Sequence, residues 1–299
     1  MRRASRVRRA YNKAVFKGVY VRDLSGLVQP LLTLCQQAGQ AICDHYHAPG
    51  ADQYQSKGDE SPLTQADIAS HHILEAGLAE ITPDLPVLSE ESSEADKAAR
   101  REWPVFWMVD PLDGTKEFLA RTGEFTINIA LIEDHRPVLG LIYLPLTDEA
   151  YLGIPGQFAR KYRAPHWSPS PLATRPLEDG TAMTILASRR HRGPRLQSSL
   201  DWLEQEWGDL ERDNSGSALK FSQLAAGDGD FYPRYSPCCE WDTAAGQALL
   251  EAAGGALLGL DGEPLQYNRR DSLLSPDFLA IADPGHSLWQ QLLAREVGE

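Results

Sequence analysis

Cysteine is scarce in this chain: Cys35, Cys43, Cys238 and Cys239 are the only four in 299 residues, and none forms a C-x-x-C pair. That excludes a disulfide framework and a cysteine-ligated zinc module, and it predicts free thiols in a reducing cytoplasm. No apolar run approaches the ~20 residues of a spanning helix, and the first residues lack the continuous apolar stretch of a secretory signal. A soluble protein without a transmembrane segment is expected. Internal repeats are also missing, as are low-complexity tracts beyond the Arg-rich first residues, which excludes solenoids and arrays. What remains is ordinary for a globular enzyme, 42% hydrophobic and 24% charged. The length exceeds one usual hydrophobic core and predicts two lobes.

Charge is divided unevenly. Residues 1–23 hold eight basic side chains and one acid, leaving 21 basic against 41 acidic beyond, a net of −20. An acidic body argues against a nucleic-acid polymer as partner. The basic residues 1–25 read as a disordered extension, with a peripheral site on the cytoplasmic face of the inner membrane open to it.

Leu27, Leu31, Leu34, Ala38 and Ile42 recur at helical spacing, with Pro30 tolerated in the first turn. An exposed loop follows, then a helix from about Pro62 to Thr82, before Pro83. It carries His71 and His72, which as helix neighbours point about 100° apart and argue against a shared metal. From Pro86 the texture turns to strands: PVLSE, VFWMVD, FTINIALIED, PVLGLIYLP and EAYLGIP. Ala164–Gly180, rich in Pro and Ser, reads as the lobe boundary. This gives an N-terminal α+β lobe over 26–175 and a C-terminal α/β lobe over 176–299.

The chemistry concentrates in Trp107–Phe118, WMVDPLDGTKEF. An apolar strand delivers Asp110, Pro111 turns the chain, and Asp113 returns beside it as a helix starts near Gly114. Two converging carboxylates repel unless a cation lies between them, and paired hard oxygens select Mg2+ or a similar ion. Gly114 and Thr115 at the helix start offer N–H groups to a phosphate. Helix capping would explain Asp113 alone. It leaves Asp110 unexplained, as well as Glu90 and Glu91 after PVLS and Asp242 at the head of WDTAAGQALLEAAGG. A phospho-enzyme mechanism uses D-x-D-x-T; the three-residue spacing here suits metal-assisted attack by water instead.

SKGDESPLTQAD, PVLSEE, VDPLDGTKEF, GEFTINIALI, GSALKF and WDTAAG, in this order, resemble the lithium-sensitive inositol monophosphatase superfamily. Within it they are most similar to 3'(2'),5'-bisphosphate nucleotidases of the bacterial CysQ type. The resemblance covers about residues 27–285. It implies a layered αβαβα sandwich of the α+β class, with an antiparallel sheet in the first lobe, a smaller mixed sheet in the second, and the site between them.

It further implies two or three Mg2+ ions on Glu90, Asp110, Asp113, Asp242 and the Leu112 carbonyl. Asp67 and Thr115 match the pair that positions and deprotonates the attacking water. Glu91 supports the ligands from behind, and Lys57 falls in the mobile loop that covers the site in that family. The scissile phosphate is expected on the amides of Gly114 and Thr115, among the metal ligands. Ser188, His191, Ser217, Lys220 and Arg234 match nucleotide-holding positions, and Lys and Arg suit a second phosphate.

The implied reaction is hydrolysis of adenosine 3',5'-bisphosphate to AMP and phosphate, serving sulfur assimilation, by a monomer or homodimer. The alternatives are an inositol-phosphate or fructose-bisphosphate phosphatase, against which Lys116 and Glu117 speak, and a non-catalytic nucleotide sensor. Against the sensor stands the Asp67–Thr115 pair, which a sensor does not need. Cys238 and Cys239 depart from the family pattern and suggest that oxidation there would disturb Asp242.

Overall fold

The computed structural model describes residues 23–49, 54–56, 62–188 and 193–298. The basic arm to Arg22, Lys57 and His191 lie outside the described residues. Two short strands, β1 (Gln55–Ser56) and β2 (Pro62–Leu63), pair antiparallel. The helix after them therefore starts at Gln65 and not near Pro62, because Thr64 is extended and caps it.

Seven strands form the first sheet, in chain order: β3 (Val87–Ser89), β4 (Val105–Asp113), β5 (Thr126–Glu133), β6 (Arg136–Leu144), β7 (Glu149–Ile154), β8 (Phe158–Arg163) and β9 (Ser170–Pro171). Their neighbours pair antiparallel, except that β3 runs parallel to β4. That one pair is parallel because the Glu94–Ala99 helix and the turn after it return the chain to the same end of the sheet, and the expectation that most neighbours pair antiparallel holds. The five-stranded second sheet is mixed, with order β11-β10-β12-β14-β13. It comprises β10 (Met183–Ala187), β11 (Leu210–Asn214), β12 (Phe231–Arg234), β13 (Ala256–Gly259) and β14 (Phe278–Ile281). The connection between the two sheets runs from Pro171 to Met183.

Strand alternation explains why β4 to β6 read as continuous apolar runs. Trp107, Val109, Ile127, Ile129 and Leu131 face one core with the Val28–His47 and Gln65–Ile81 helices. Phe106, Met108, Ala130 and Ile132 face a second core with the Leu219–Ala226 and Glu240–Ala253 helices, and the second sheet closes that core with Leu186, Tyr232, Phe278 and Ala280. Ile185, Phe231, Leu279 and Ile281 point the other way, onto Leu200 and Leu203 of the Pro194–Glu206 helix and Trp289 of the Leu288–Gly298 helix. The result is an α+β sandwich layered αβαβα, as the sequence pattern implies.

Close approach fixes the middle layer. A Cβ at Gly140 would strike the carbonyl of Ala245, and one at Gly153 would lie 2.5 Å from Leu249 Cα. Backbone thus meets backbone where the Glu240–Ala253 helix lies on β6 and β7. This helix carries Asp242, so its depth sets where that carboxylate stands. Gly140→Ala is expected to destabilise the fold by about 1–3 kcal/mol through overpacking, read as a lower urea midpoint; an unchanged midpoint would show that the helix can shift freely.

Candidate active site

Strand β4 follows β5 in register to Asp110, opposite Asn128, and then slips before Asp113, opposite Thr126. Pro111 and Leu112 stand opposite Ile127 alone, and this one-residue bulge aims both aspartates toward the same end of the sheet. Asp113 therefore belongs to the strand and does not cap the following helix. The residue before Thr115–Leu119 is Gly114, left-handed at φ 91°, with no side-chain cap. A Cβ on Gly114 would stand 3.0 Å from the Glu124 carbonyl, so both its φ and its crowding call for glycine.

Each carboxylate is held by protein donors. The Leu112 N–H donates to Asp110 Oδ1 at 3.0 Å. Ala218 N–H (2.6 Å) and Asn128 Nδ2 (3.2 Å) donate to Asp113 Oδ2. The Cys239 N–H donates to Asp242 Oδ2 at 2.8 Å, because Asp242 is the third residue of its helix and turns back on the residue before it. Ligand oxygens of Asp110, Asp113 and Asp242 lie within 4.8 Å of one another. Glu90 sits in the turn after β3, its N–H bonded to the Val109 carbonyl at 3.0 Å.

Electrostatics reflect the crowding. Burial raises Asp110 well above its ordinary range, reinforced by Glu90, Asp113 and Asp242. Burial and then Asp242 raise Asp113 to about 7, with Lys220, Asn128 and Arg234 opposing. Burial also raises Asp242. Three oxygen ligand groups that resist ionising together are the donor set a hard divalent cation satisfies, so these residues fit a metal centre.

Asp67 and Thr115 do come together: Thr115 Oγ1 lies 3.3 Å from both Asp67 Oδ1 and the Leu112 carbonyl. Asp67 Oδ2 accepts from Thr64 N–H at 2.8 Å and Thr64 Oγ1 at 2.5 Å. Ser70 Oγ donates to the Pro111 carbonyl at 2.7 Å and fastens the bulge. Sequence reasoning missed Thr64, Ser70 and Asn128. Two signals were present: T-Q-A-D is a capping-box spacing, and Thr126 and Asn128 are polar at alternate positions of an apolar strand.

A cavity of about 320 Å³ opens beside the aspartates, lined among others by Asp113, Gly114, Ser188, Ser217, Lys220, Arg234 and Asp242. Lys220 is fully buried, donates to the Ser215 and Ser217 carbonyls at 3.0 and 2.8 Å, and lies 5.0 Å from the Tyr232 ring centroid. Burial and Arg234 pull its pKa down to about 8. Arg234 donates to Tyr232 and to the Ser236 and Pro237 carbonyls. Glu91 N–H donates to Ser89 Oγ at 3.3 Å. Burial raises Cys238 to about 12 and Cys239 further still, so the thiolate that oxidation requires is scarce. That weighs against the expected sensitivity at Cys238 and Cys239.

The raised carboxylates predict a stability signature. A folded-state pKa of about 7 against 3.8 means that the folded protein keeps a proton the unfolded chain has lost, so metal-free stability falls as pH rises through that window. Metal-free Asp113→Asn should therefore gain melting temperature relative to the parent between pH 4 and 7. Adding Mg2+ at pH 7 should raise the parent more than the variant. Parallel melting curves for the two proteins across this range would contradict this account.

The inositol monophosphatase family matches residues 23–299. The 3'(2'),5'-bisphosphate nucleotidase CysQ of Salmonella typhimurium is 39% identical over 84% of this chain and 98% of that protein. Its Escherichia coli K12 counterpart is 38% identical over the same shares. Among solved structures, CysQ from Bacteroides thetaiotaomicron, a bacterial member of the inositol monophosphatase family, superimposes with TM-score 0.75 at 36% identity, covering 87% of this chain and 98% of that one. A family match over residues 23–299, joined to relatives of this identity and coverage, leaves one conclusion: the chain belongs to the inositol monophosphatase family.

Proposed function

We propose that this chain hydrolyses the 3'-phosphate of adenosine 3',5'-bisphosphate, giving AMP and inorganic phosphate. The strongest support is the single cavity that sets Asp113 and Asp242 against Lys220 and Arg234. Carboxylates suited to a metal and two cations suited to a second phosphate line the same cavity. The nucleotidase relatives at up to 39% identity support the same substrate class.

In this reading Glu90, Asp110, Asp113, Asp242 and the Leu112 carbonyl hold Mg2+, which when bound polarises the phosphate and lowers the pKa of water. Thr115 Oγ1 orients the attacking water, and Asp67, fixed through Thr64, receives its proton. Gly114 and Thr115 amides cradle the phosphoryl oxygens. The water oxygen bonds to phosphorus, the P–O3' bond breaks, and the ribose oxygen leaves with a proton. Ser188, Ser217, Lys220 and Arg234 position the nucleotide and its 5'-phosphate. His191 and Lys57 are assigned to the same site on resemblance alone. Glu91 steadies the Glu90 turn.

Lithium inhibition and a place in sulfur metabolism belong to this proposal. So does a cytoplasmic setting, which four free thiols suit. Among the described residues no helix is long and apolar enough to cross a membrane.

The test is phosphate release from adenosine 3',5'-bisphosphate and from inositol 1-phosphate, each with Mg2+ and with or without lithium. Lithium-sensitive release from the nucleotide is expected to dominate. Preference for the inositol ester would overturn the substrate, and no release from either would overturn the enzyme reading. Asp67→Asn should lower kcat at least about 100-fold, the usual worth of a positioned base, while leaving Mg2+-induced thermal stabilisation in place. Loss of both together would mean that Asp67 acts on the metal centre instead.

A further inference from the structure

One turn beyond Asp67, on the same helix, stand His71, His72 and Glu75. Their backbone directions diverge, which argues against a shared ligand, yet the side chains converge. The two imidazole centroids are 5.2 Å apart, and ligand atoms of all three residues lie within 4.8 Å of one another. Donors around a tetrahedral zinc-class ion sit about 3.4 Å apart, so small rotamer changes suffice to close the site.

We propose that His71, His72 and Glu75 form a binding site for a borderline-soft divalent transition-metal ion such as Zn2+, separate from the carboxylate centre. Two imidazoles and one carboxylate select this class over Mg2+, which prefers oxygen alone. The hydrogen bonding of His71 is an independent argument. Its Nδ1 lies 3.0 Å from Ser89 Oγ, and its Nε2 faces Glu75 Oε2 at 3.8 Å. A metal on Nε2 places the ring proton on Nδ1, which then donates to Ser89. That is the outer hydrogen bond which metal-binding histidines generally make and which fixes their tautomer. Burial also lowers the pKa of His71 and favours its neutral, ligating form, with Glu75 and Glu91 opposing and His72 assisting.

His71 is buried, whereas His72 and Glu75 are exposed, so an ion would enter from solvent and keep room for water. Ser89 Oγ accepts from the Glu91 N–H as well, which joins the site by two hydrogen bonds to the Glu90–Glu91 turn. Occupancy would therefore stiffen the turn that carries an acid of the carboxylate centre.

The experiment is calorimetric titration of the full chain with Zn2+ in saturating Mg2+, comparing the parent with His72→Ala and Glu75→Gln. Both positions are exposed, and both variants should keep the parent's Mg2+-dependent phosphate release in zinc-free buffer. The parent is expected to take up one Zn2+ that each variant binds at least about 10-fold more weakly, the scale of a lost metal contact. Superimposable isotherms for all three proteins would overturn the site. So would uptake that survives in both variants and vanishes in Asp113→Asn, since it would assign the zinc to the carboxylates.

Discussion

Asp110, Asp113 and Asp242 bring like charge into one sheltered corner, and their mutual repulsion is the constraint around which the neighbouring structure is arranged. Left alone, such a cluster would neutralise itself by taking up protons or push its members apart. Backbone N–H groups of Leu112, Ala218 and Cys239 hold one oxygen of each in place. Lys220 and Arg234 offset part of the charge at Asp113 from the cavity side. The compensation is incomplete, since all three carboxyls stay raised. Incomplete compensation by protein is the condition under which a divalent cation binds with advantage.

Holding repelling groups together requires rigid supports, and those come from packing. β4 lies in the interior of the seven-stranded sheet with both faces covered, so its bulge cannot relax without disturbing two cores. The Glu240–Ala253 helix that supplies Asp242 rests on glycines 140 and 153 of β6 and β7. Its side chains are shared between the two sheets through Ala245 and Leu249 on one side and the Tyr232–Phe278 cluster on the other. Asp113 and Asp242 thus approach from different layers, and the geometry between them is as firm as the middle layer itself.

Much of this was legible in the sequence. The apolar strands, the bulged D-P-L-D-G-T run and the acids at Glu90 and Asp242 announce themselves by residue type and position. The layering followed from the family pattern, because alternation within a fully buried strand cannot be seen when both faces are apolar: Phe106 and Trp107 look alike until each meets a different core. Which neighbour departs from the mainly antiparallel pairing was not legible, since nothing local distinguishes β3 from a hairpin partner of β4. The start of the Gln65–Ile81 helix was misplaced because Pro62 suits a first turn, although Thr64 and Asp67 carried the better signal. The approach of His72 to His71 depends on rotamers, which helical angles alone do not encode.

Asp67 and Asp242 share one local device. Each is the third residue of its helix, and each turns a carboxylate oxygen back onto the N–H of the residue preceding that helix, Thr64 in one case and Cys239 in the other. In most proteins this arrangement closes a helix end and contributes about 1 kcal/mol. Here it also fixes the side-chain rotamer, so that the second oxygen faces a set direction: toward Thr115 from Asp67, and into the aspartate cluster from Asp242. A capping carboxylate cannot swing away without uncapping its helix. The helix ends therefore supply the rigidity that a loop-borne carboxylate would lack, and two such ends converge on the bulge of β4. Local helix chemistry, legible as T-x-x-D and C-x-x-D spacings, thereby becomes the positioning element of the site.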